Sequence, residues 1–502
     1  MTSRTPARPF HAPRPSLERT AVLPRLLPAP AGPASLTQPA STARLRGRDL
    51  PVRTTDRGVA ARRADTRGTD TRRADLHGTG TRGASTGEGD AGAPVLAARD
   101  AALGSGGDNG RLESLDLVRL LAILGMMAAH LLAPLAMFGA DGLQGAAARV
   151  ASVLTEGPAS TTFAVVGGFS LVLASRSRLL AGDRRGAVLA GALRGALVAG
   201  IGLVLGFVPT SVVVVLVPFG IGMMITAPLL LVRSRWLIAI VAVLTAGGGF
   251  LNALVRSSLG QVQEVGAITP LNLAEPLVLV RGLALTGMYP LVTWLPYLLL
   301  GVVLMRSLLT AIQDGRARRW SARALVIGAG VATATYGLSA LAGAWAIGHG
   351  VDPLAVSLHG FGAPVLPEAW ALAVAAPHSG SPADMIATAS VAVALIGAVT
   401  LLVPPGRHLH GSIGRALRAA GAAPLSIYTV HVILTGVALV VAMLSDPDGG
   451  FTTMPWYVAG LGVFAAHVAI ALGIGATLAR TGKRGPLEAA LSGAVRRAVP
   501  QR

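Results

Sequence analysis

The chain has 502 residues, of which 52% are hydrophobic and only 13% charged, and its mean hydropathy is +0.60. Soluble domains carry about a quarter charged residues, so this composition indicates a membrane protein. The net charge of +19 resides mostly in arginines of an N-terminal tail and of short loops, a distribution typical of membrane topology, so no nucleic-acid partner is expected. The absence of cysteine excludes disulfides, thiolate metal sites and cysteine nucleophiles, and no metal is expected.

Residues 1–109 are predicted to form a disordered, basic, low-complexity tail. They contain 17 arginines and 10 acidic residues, nearly repeat every five residues between Thr66 and Ser85, and show no sustained apolar periodicity. Such a segment cannot bury enough apolar surface to offset its chain entropy. Its apolar patch, Ala21 to Leu27, is too short and interrupted for a signal peptide. We expect a transmembrane helical domain at 110–491 and a short basic cytoplasmic C-terminal tail at 492–502.

Ten apolar stretches are long enough to cross the bilayer, which takes about 20 helical residues. The chain is therefore predicted to be an all-α, polytopic membrane protein with about ten transmembrane helices. In chain order the stretches run Leu115 to Met137, Glu156 to Ser175, Ala187 to Val208, Thr210 to Val232, Trp236 to Leu254, Gly282 to Met305, Ala322 to Gly348, Asp384 to Val403, Ala422 to Leu444 and Trp456 to Ala479.

The basic residues predict an orientation for these spans, because Lys and Arg in short loops are retained in the cytoplasm. With the N-terminal tail inside, 20 basic residues of the loops and the C-terminus fall on the cytoplasmic side, against three (Arg149, Arg256 and Arg281) on the other. We therefore expect a plasma-membrane protein with both termini in the cytoplasm.

The first span carries the polar residues with the clearest spacing. Arg119 and His130 are eleven residues apart, which is three helical turns plus about 20°, so both point to one face roughly 16 Å apart along the axis. Asp116 precedes Arg119 by three residues and is expected to pair with its guanidinium. We expect this stripe to face one protected channel through the bilayer.

Histidine and arginine at these depths suit two different tasks. The imidazole of His130 can act as a general base on an acceptor hydroxyl, and the planar guanidinium of Arg119 suits phosphate. The alternative is structural: His130 bonds a neighbouring helix, and Arg119 extends to the membrane surface as an ordinary topology residue.

The Arg and His of the first span, placed after an acidic residue, resemble the signature of the acyltransferase-3 family and its superfamily of transmembrane acyltransferases. The later sequence is similar to the YeiB-like membrane proteins (domain of unknown function 418) and to the heparan-alpha-glucosaminide N-acetyltransferase-like group. The matching stretches are TTFAVVGGFSLVLASR, LTGMYPLVTWLPYLLLGVVL, PHSGSPADMIATASVAVALIG, APLSIYTVH and KRGPLE.

This resemblance implies an enzyme that takes an acyl group, commonly acetyl, from cytoplasmic acyl-CoA and delivers it to a glycan or lipid acceptor. By match of motif, His130 would be the catalytic histidine and Arg119 its paired motif residue. Acyl-CoA (acetyl-CoA) would be the donor substrate, and the lipid bilayer the surrounding partner.

Further polar residues fit such a reaction. Arg176, in a cytoplasmic loop, and Arg194, two turns inside the third span, are candidates for cofactor phosphates, although both also suit topology or extension to the membrane surface. On the outer side, Glu156, His378 and Asp384 are candidates to meet His130. As acids in a first helical turn, Glu156 and Asp384 are equally explained by the helix dipole, and Ser381 with Asp384 resembles a capping box.

Two residues of the ninth span, Tyr428 and His431, share a face near its inner end and can contact a cofactor or make a structural hydrogen bond. Two other function classes stay open. A secondary transporter or flippase is kept open by the proline-broken sixth span, although no internal repeat supports it. A non-catalytic membrane partner would leave His130 inert.

Overall fold

The computed structural model describes residues 112–136, 139–260, 263–358, 360–446 and 454–501. These residues form helices joined by loops; they contain no β-strand, and a single bridge joins Val265 and Gly287. The predicted all-α, polytopic fold is confirmed. The tail expected at residues 1–109 lies outside the described residues.

We number the α-helices of the described residues in chain order. They are α1 Glu113–Leu131, α2 Gly142–Thr155, α3 Pro158–Leu180, α4 Arg184–Leu205, α5 Leu216–Leu229, α6 Ser234–Leu259, α7 Pro276–Arg281, α8 Leu291–Gln313, α9 Ala317–Gly348, α10 Pro353–Ser357, α11 Ala369–Ala373, α12 Pro382–Leu402, α13 Gly411–Gly421, α14 Pro424–Ser445, α15 Leu461–Thr481 and α16 Pro486–Ala498.

Nine segments of the described chain are long and apolar enough to span a membrane, and they correspond to nine of the ten expected spans. The fourth expected span is the exception. Its helix, α5, has 14 residues, so it is about 21 Å long and shorter than the ~30 Å hydrocarbon layer. Non-helical chain from Thr210 to Val214 replaces the first turns that were expected there.

Helix α1 lies at the centre of the bundle and packs against α3, α12, α13, α14 and α15. The close approach of α3 and α8 depends on glycine. A Cβ on Gly168 would lie 2.1 Å from the carbonyl oxygen of Leu298, and one on Gly301 would lie 2.0 Å from that of Val165. The backbones of α3 and α8 therefore touch at a crossing that a larger residue cannot occupy.

The loops after α6 are tied together by Arg256, one of the basic residues predicted on the outer side. Its buried guanidinium donates to the carbonyl oxygens of Phe361, Leu285 and Gly287 at 2.7–2.9 Å. Arg256 is held further by Asn252, one turn away on the same helix. These hydrogen bonds hold the segment before α8 against the loop before α11.

The C-terminal segment differs from the expected tail. Helix α16 continues through residue 498, so the boundary expected at 492 falls inside a helix. Leu491 and Val495 are buried, because the apolar face of α16 packs against α4 and α14.

Candidate functional site

The predicted ion pair of the first span is confirmed. Arg119 donates to Asp116 Oδ1 at 2.7 Å and to the Ser170 hydroxyl of α3 at 3.0 Å. Both residues sit near the start of α1, whereas His130 sits near its end. The first helix thus carries its guanidinium and its imidazole at opposite ends.

The arginine-rich end of the bundle contains a cavity of about 1000 Å³, which we call the basic cavity. Its cationic lining residues are Arg119, Arg176, Arg194, Arg418, Lys483 and Arg484. The three residues predicted to bind a cofactor, Arg119, Arg176 and Arg194, are therefore brought together. Four separate parts of the chain supply these cations, namely α1, the α3–α4 region, α13 and the α15–α16 loop.

Two acids line the same cavity, Asp116 and Glu488, and both are engaged with the protein. Asp116 binds Arg119, and Glu488 accepts hydrogen bonds from the backbone N–H groups of Leu425 and Ser426 at the start of α14. By contrast, no hydrogen bond or ion pair within the described residues holds the Arg194 guanidinium. The basic cavity therefore has a cationic excess and at least one guanidinium ready for an anion.

A smaller, mostly apolar cavity of about 150 Å³ adjoins the basic cavity and shares Arg119 and Arg194 with it. Phe163, Leu216 and Phe219 form part of its wall. A ligand with an anionic head in the basic cavity can thus place an apolar extension deeper in the bundle.

His130 lines a separate cavity of about 140 Å³, which we call the histidine cavity. Glu156 and His378 line it too, so two of the three outer residues predicted to meet His130 share its cavity. Glu156 was expected at the start of the second span and lies two residues before α3, directly after α2, a helix that was not predicted. Its carboxylate accepts a hydrogen bond from the Ser152 hydroxyl in the last turn of α2.

His378 is held in a left-handed backbone conformation, with φ of +60°. This region is costly for a residue with a Cβ, and it concentrates at functional sites. The His378 ring meets the Tyr289 ring edge-on at 6.0 Å, and both side chains line the histidine cavity.

Asp384 is not in the histidine cavity. It lines a neighbouring space of about 10 Å³, room for one water, that shares Ser160 and His378 with it. Its carboxylate accepts from the Gly380 N–H at 2.9 Å, while the Ser381 hydroxyl accepts from the Asp384 N–H at 3.0 Å. This is nearly the predicted capping box, with the carboxylate shifted to the residue before the cap. Asp384 thus orders the loop that carries His378.

A cluster of three histidines links three spans beside the histidine cavity. The ring nitrogens His130 Nδ1 and His431 Nε2 lie 3.1 Å apart, and the rings stack with centroids at 5.4 Å. His431 in turn meets His467 of α15 edge-on at 5.1 Å. Of the two roles expected for His431, cofactor contact or a structural hydrogen bond, the structure shows the second, because Gly421 packs against the backbone of Asp116 and the following helix α14 brings His431 to His130.

His467 was missed by the sequence analysis. The available signal was its position inside an apolar span, where an ionisable residue is costly unless function or pairing retains it.

Arg119 and His130 do not share one cavity, so the expected common channel is interrupted. Tyr428 and Val215 line the histidine cavity, while Leu425 and Leu216, on the same two elements, line the apolar cavity. The Val215 N–H donates to the Tyr428 hydroxyl at 3.3 Å. We call this contact the tyrosine wall; it separates the two cavities where α14 meets the start of α5.

Among the described residues, no three His, Asp or Glu side chains are grouped so that they could hold a metal ion. The cationic lining of the basic cavity suits phosphate or carboxylate instead.

The comparison with known families gives a partial match. Residues 111–336 match the family described as heparan-alpha-glucosaminide N-acetyltransferase, catalytic, which is less than half of the chain. No curated protein matches the chain. The matched segment contains Arg119, His130, Glu156, Arg176 and Arg194, and it ends before Asp384, His431 and His467.

The fold and this match together define a class: a multi-pass membrane protein similar to transmembrane acyltransferases. Within that class, the similarity supports the heparan-alpha-glucosaminide N-acetyltransferase-like superfamily and an acetyltransferase-like function.

Proposed function

We propose that the protein is a membrane-bound acyltransferase that moves an acyl group, commonly acetyl, from cytoplasmic acyl-CoA to a glycan or lipid acceptor. The carrying observation is that α1 presents Arg119 to a large cationic cavity and His130 to a separate small cavity farther along the same helix. By its motifs, we place the chain nearest the YeiB-like branch of the superfamily.

The basic cavity would bind the donor. Acyl-CoA carries several phosphates on its nucleotide and a long, thin arm ending in the thioester. Arg119, Arg176 and Arg194 would bind the phosphates, since guanidinium groups bind phosphate bidentately. The adjoining apolar cavity would receive the arm, and the tyrosine wall would have to open for the thioester to reach His130, roughly 16 Å from Arg119 by helical rise.

Acyl transfer would take place beside His130. Its ring accepts the proton of the acceptor hydroxyl or amine as the acceptor oxygen or nitrogen bonds to the thioester carbonyl carbon. The carbon–sulfur bond then breaks, and the proton passes to the departing thiolate. The products are the acylated acceptor and free CoA thiol.

The other residues of the outer region would serve the acceptor. Glu156 faces the same cavity as His130, where its carboxylate would orient the acceptor or stabilise a protonated imidazole. His378 would contribute a second imidazole at the rim. Asp384 would act through the loop that it orders rather than by touching the acceptor.

This chemistry sets the orientation that we propose. The basic cavity would open to the cytoplasm, where acyl-CoA is found, and both termini would lie on that side of the plasma membrane. Basic residues expected on the cytoplasmic side support this orientation, because Arg176, Arg418, Lys483 and Arg484 all line the basic cavity.

The test uses purified full-length chain, acetyl-CoA as donor and glucosamine as probe acceptor. CoA release can be followed with a thiol reagent, because the chain has no cysteine to react with it. His130→Ala should lower turnover about 100-fold or more, as loss of a general base does, with unchanged acetyl-CoA binding by calorimetry. His410→Ala, at an exposed histidine, is the matched control.

Retained turnover in His130→Ala would remove the proposed base. Failure of the wild type to bind acetyl-CoA would remove the donor assignment. Two cavities on either side of a wall also suit an alternating-access transporter, so uptake of a labelled solute into proteoliposomes without CoA release would favour that second function.

A further inference from the structure

The histidine cluster beside the histidine cavity makes contacts that the proposed reaction does not use. His130, His431 and His467 come from three spans, and the last two are buried, at 2% exposed for His431 and 5% for His467. A charged imidazole is costly at such positions, so we treat the resting rings as neutral, each with one N–H and one lone pair. The question is which nitrogen of each ring carries the hydrogen.

The first fixed point is His467. Its Nδ1 lies 2.9 Å from the carbonyl oxygen of Val463, one turn earlier on α15. A carbonyl can only accept, so Nδ1 of His467 must carry the hydrogen and Nε2 must be a lone pair. That Nε2 atom is buried without a hydrogen-bond partner.

The second fixed point is His431, whose Nδ1 is also buried without a hydrogen-bond partner. Its ring meets the His467 ring edge-on, with an interplanar angle of 82°. If Nδ1 of His431 were a lone pair, two unpaired lone pairs would be buried on adjacent rings. If Nδ1 carries the hydrogen, an N–H group and a lone pair, which have opposite partial charges, lie on adjacent rings; the two nitrogens do not form a hydrogen bond, so the preference is electrostatic.

We infer that His467 and His431 form a directional chain that holds His130 in the tautomer with its hydrogen on Nδ1, leaving its Nε2 lone pair for the histidine cavity. With its hydrogen on Nδ1, His431 offers only a lone pair at Nε2, so His130 Nδ1 must donate across the 3.1 Å contact. The carbonyl of Val463 thus determines which nitrogen of His130, two rings away, carries the hydrogen. His431 and His467 are positioning residues, since they act through His130.

A neutral orienting partner suits this location. Many catalytic histidines are oriented by a buried carboxylate, which would have to be kept charged inside an apolar bundle. The imidazole of His431 supplies the same acceptor without a net charge. His431 and His467 therefore orient His130 but do not neutralise its imidazolium after protonation. Glu156 is the acid in the histidine cavity that would neutralise it.

The inference deepens the proposed function and depends on it only for the turnover readout. The primary measurement is the nitrogen NMR spectrum of full-length protein labelled with ¹⁵N-histidine, which distinguishes the two tautomers whether or not the protein turns over. The His130 signals are assigned by their loss in His130→Ala. We expect a protonated Nδ1 and an unprotonated Nε2 on His130.

His431→Leu removes the acceptor, so the His130 signals should shift towards the other tautomer, and kcat should fall about tenfold to 100-fold with an unchanged KM for acetyl-CoA. His431→Gln should restore both, because its side-chain carbonyl accepts from Nδ1. His467→Phe keeps the ring volume and should shift the His130 signals in the same direction by a smaller amount. His410→Leu is the exposed control.

A hydrogen on Nε2 of His130 in the wild type would overturn the inference, as would His130 signals that ignore His431→Leu. Unchanged signals in His467→Phe would overturn the part assigned to His467. If the tautomer is as expected but no acyl transfer is detected with any donor, the chain of histidines stands and the proposed function fails.

Discussion

The basic cavity and the histidine cavity lie along the same central helix but are built in opposite ways. The basic cavity is large, and its character comes from the net charge of residues in four separate parts of the chain. The histidine cavity is small, and its character comes from single hydrogen bonds and one strained loop. Under the proposed function, binding a charged donor would tolerate loose construction, whereas activating an acceptor would require each nitrogen to be oriented.

Removing cations from the basic cavity tests this difference most directly. Arg194→Ala should raise the Kd for acetyl-CoA about tenfold, and the Arg119→Ala/Arg194→Ala double variant about 100-fold, since each loses a charge-assisted hydrogen bond to phosphate. Calorimetry at two salt concentrations measures this, and the salt dependence should weaken in the variants.

Arg318→Ala, at an exposed arginine outside the basic cavity, is the matched control. Equal loss of affinity in Arg318→Ala would mean that overall charge, not the cavity, attracts the donor.

The second prediction concerns the loop that holds His378. Asp384→Ala leaves the Gly380 N–H without its acceptor, so turnover should fall about tenfold and the thermal midpoint should drop, as the loss of a charge-assisted hydrogen bond implies. Asp384→Asn keeps an acceptor oxygen and should stay within about threefold of the wild type.

Turnover assays with glucosamine, together with thermal melts, separate these outcomes. An inactive but fully stable Asp384→Asn variant would show that the negative charge itself takes part in the reaction.

A smaller effect is expected at the tyrosine wall. Tyr428→Phe removes the hydroxyl that accepts from the Val215 N–H, so water should reach the thioester more often. CoA release without acceptor should rise about threefold, in keeping with loss of one neutral hydrogen bond. The opposite result, slower release with normal donor binding, would mean that the hydroxyl assists the chemistry rather than separating the cavities.

The smallest effect lies in the loop before α7. Hydrogen bonds from Arg281 hold the pKa of Glu264 at about 2, below its ordinary 4.5, and the Thr286 hydroxyl contributes as well. A lowered folded pKa means that the carboxylate stabilises the loop above its ordinary pKa and loses that effect as the pH falls through about 2.

At neutral pH, the amides of the loop before α7 should therefore exchange faster in Glu264→Gln than in the wild type in hydrogen-exchange measurements. The difference should narrow as the pH falls toward about 2. A difference that persists unchanged in acid would assign the effect to packing rather than to charge.

The large features of the molecule could be predicted because they depend on sums over many residues. Nine of the ten expected spans are long apolar helices, since about 20 apolar residues are a strong local signal. The Asp116–Arg119 pair was predicted because residues three apart on a helix are neighbours. The short α5 was not, because apolar residues fill the extended segment before it as fully as they fill a helix.

Within the candidate site, too, some placements could be predicted from the sequence and others could not. Arg119, Arg176 and Arg194 were grouped correctly because all three lie near the arginine-rich end. Whether His130 contacts His431 depends on where along α1 helix α14 begins. That position is set by the packing of Gly421 against α1, which no local sequence pattern indicates. The same holds for Asp384, whose carboxylate turns back to its own loop.

The tyrosine wall has a consequence for the membrane itself. A lined passage from one face to the other would short-circuit the ion gradients that the bilayer maintains, whatever reaction the protein performed. The contact between Tyr428 and Val215 lies between the apolar cavity and the histidine cavity, so direct passage from one cavity to the other requires a brief parting of α14 from the start of α5. The frequency of that parting sets an upper limit on how fast material can pass between the two sides.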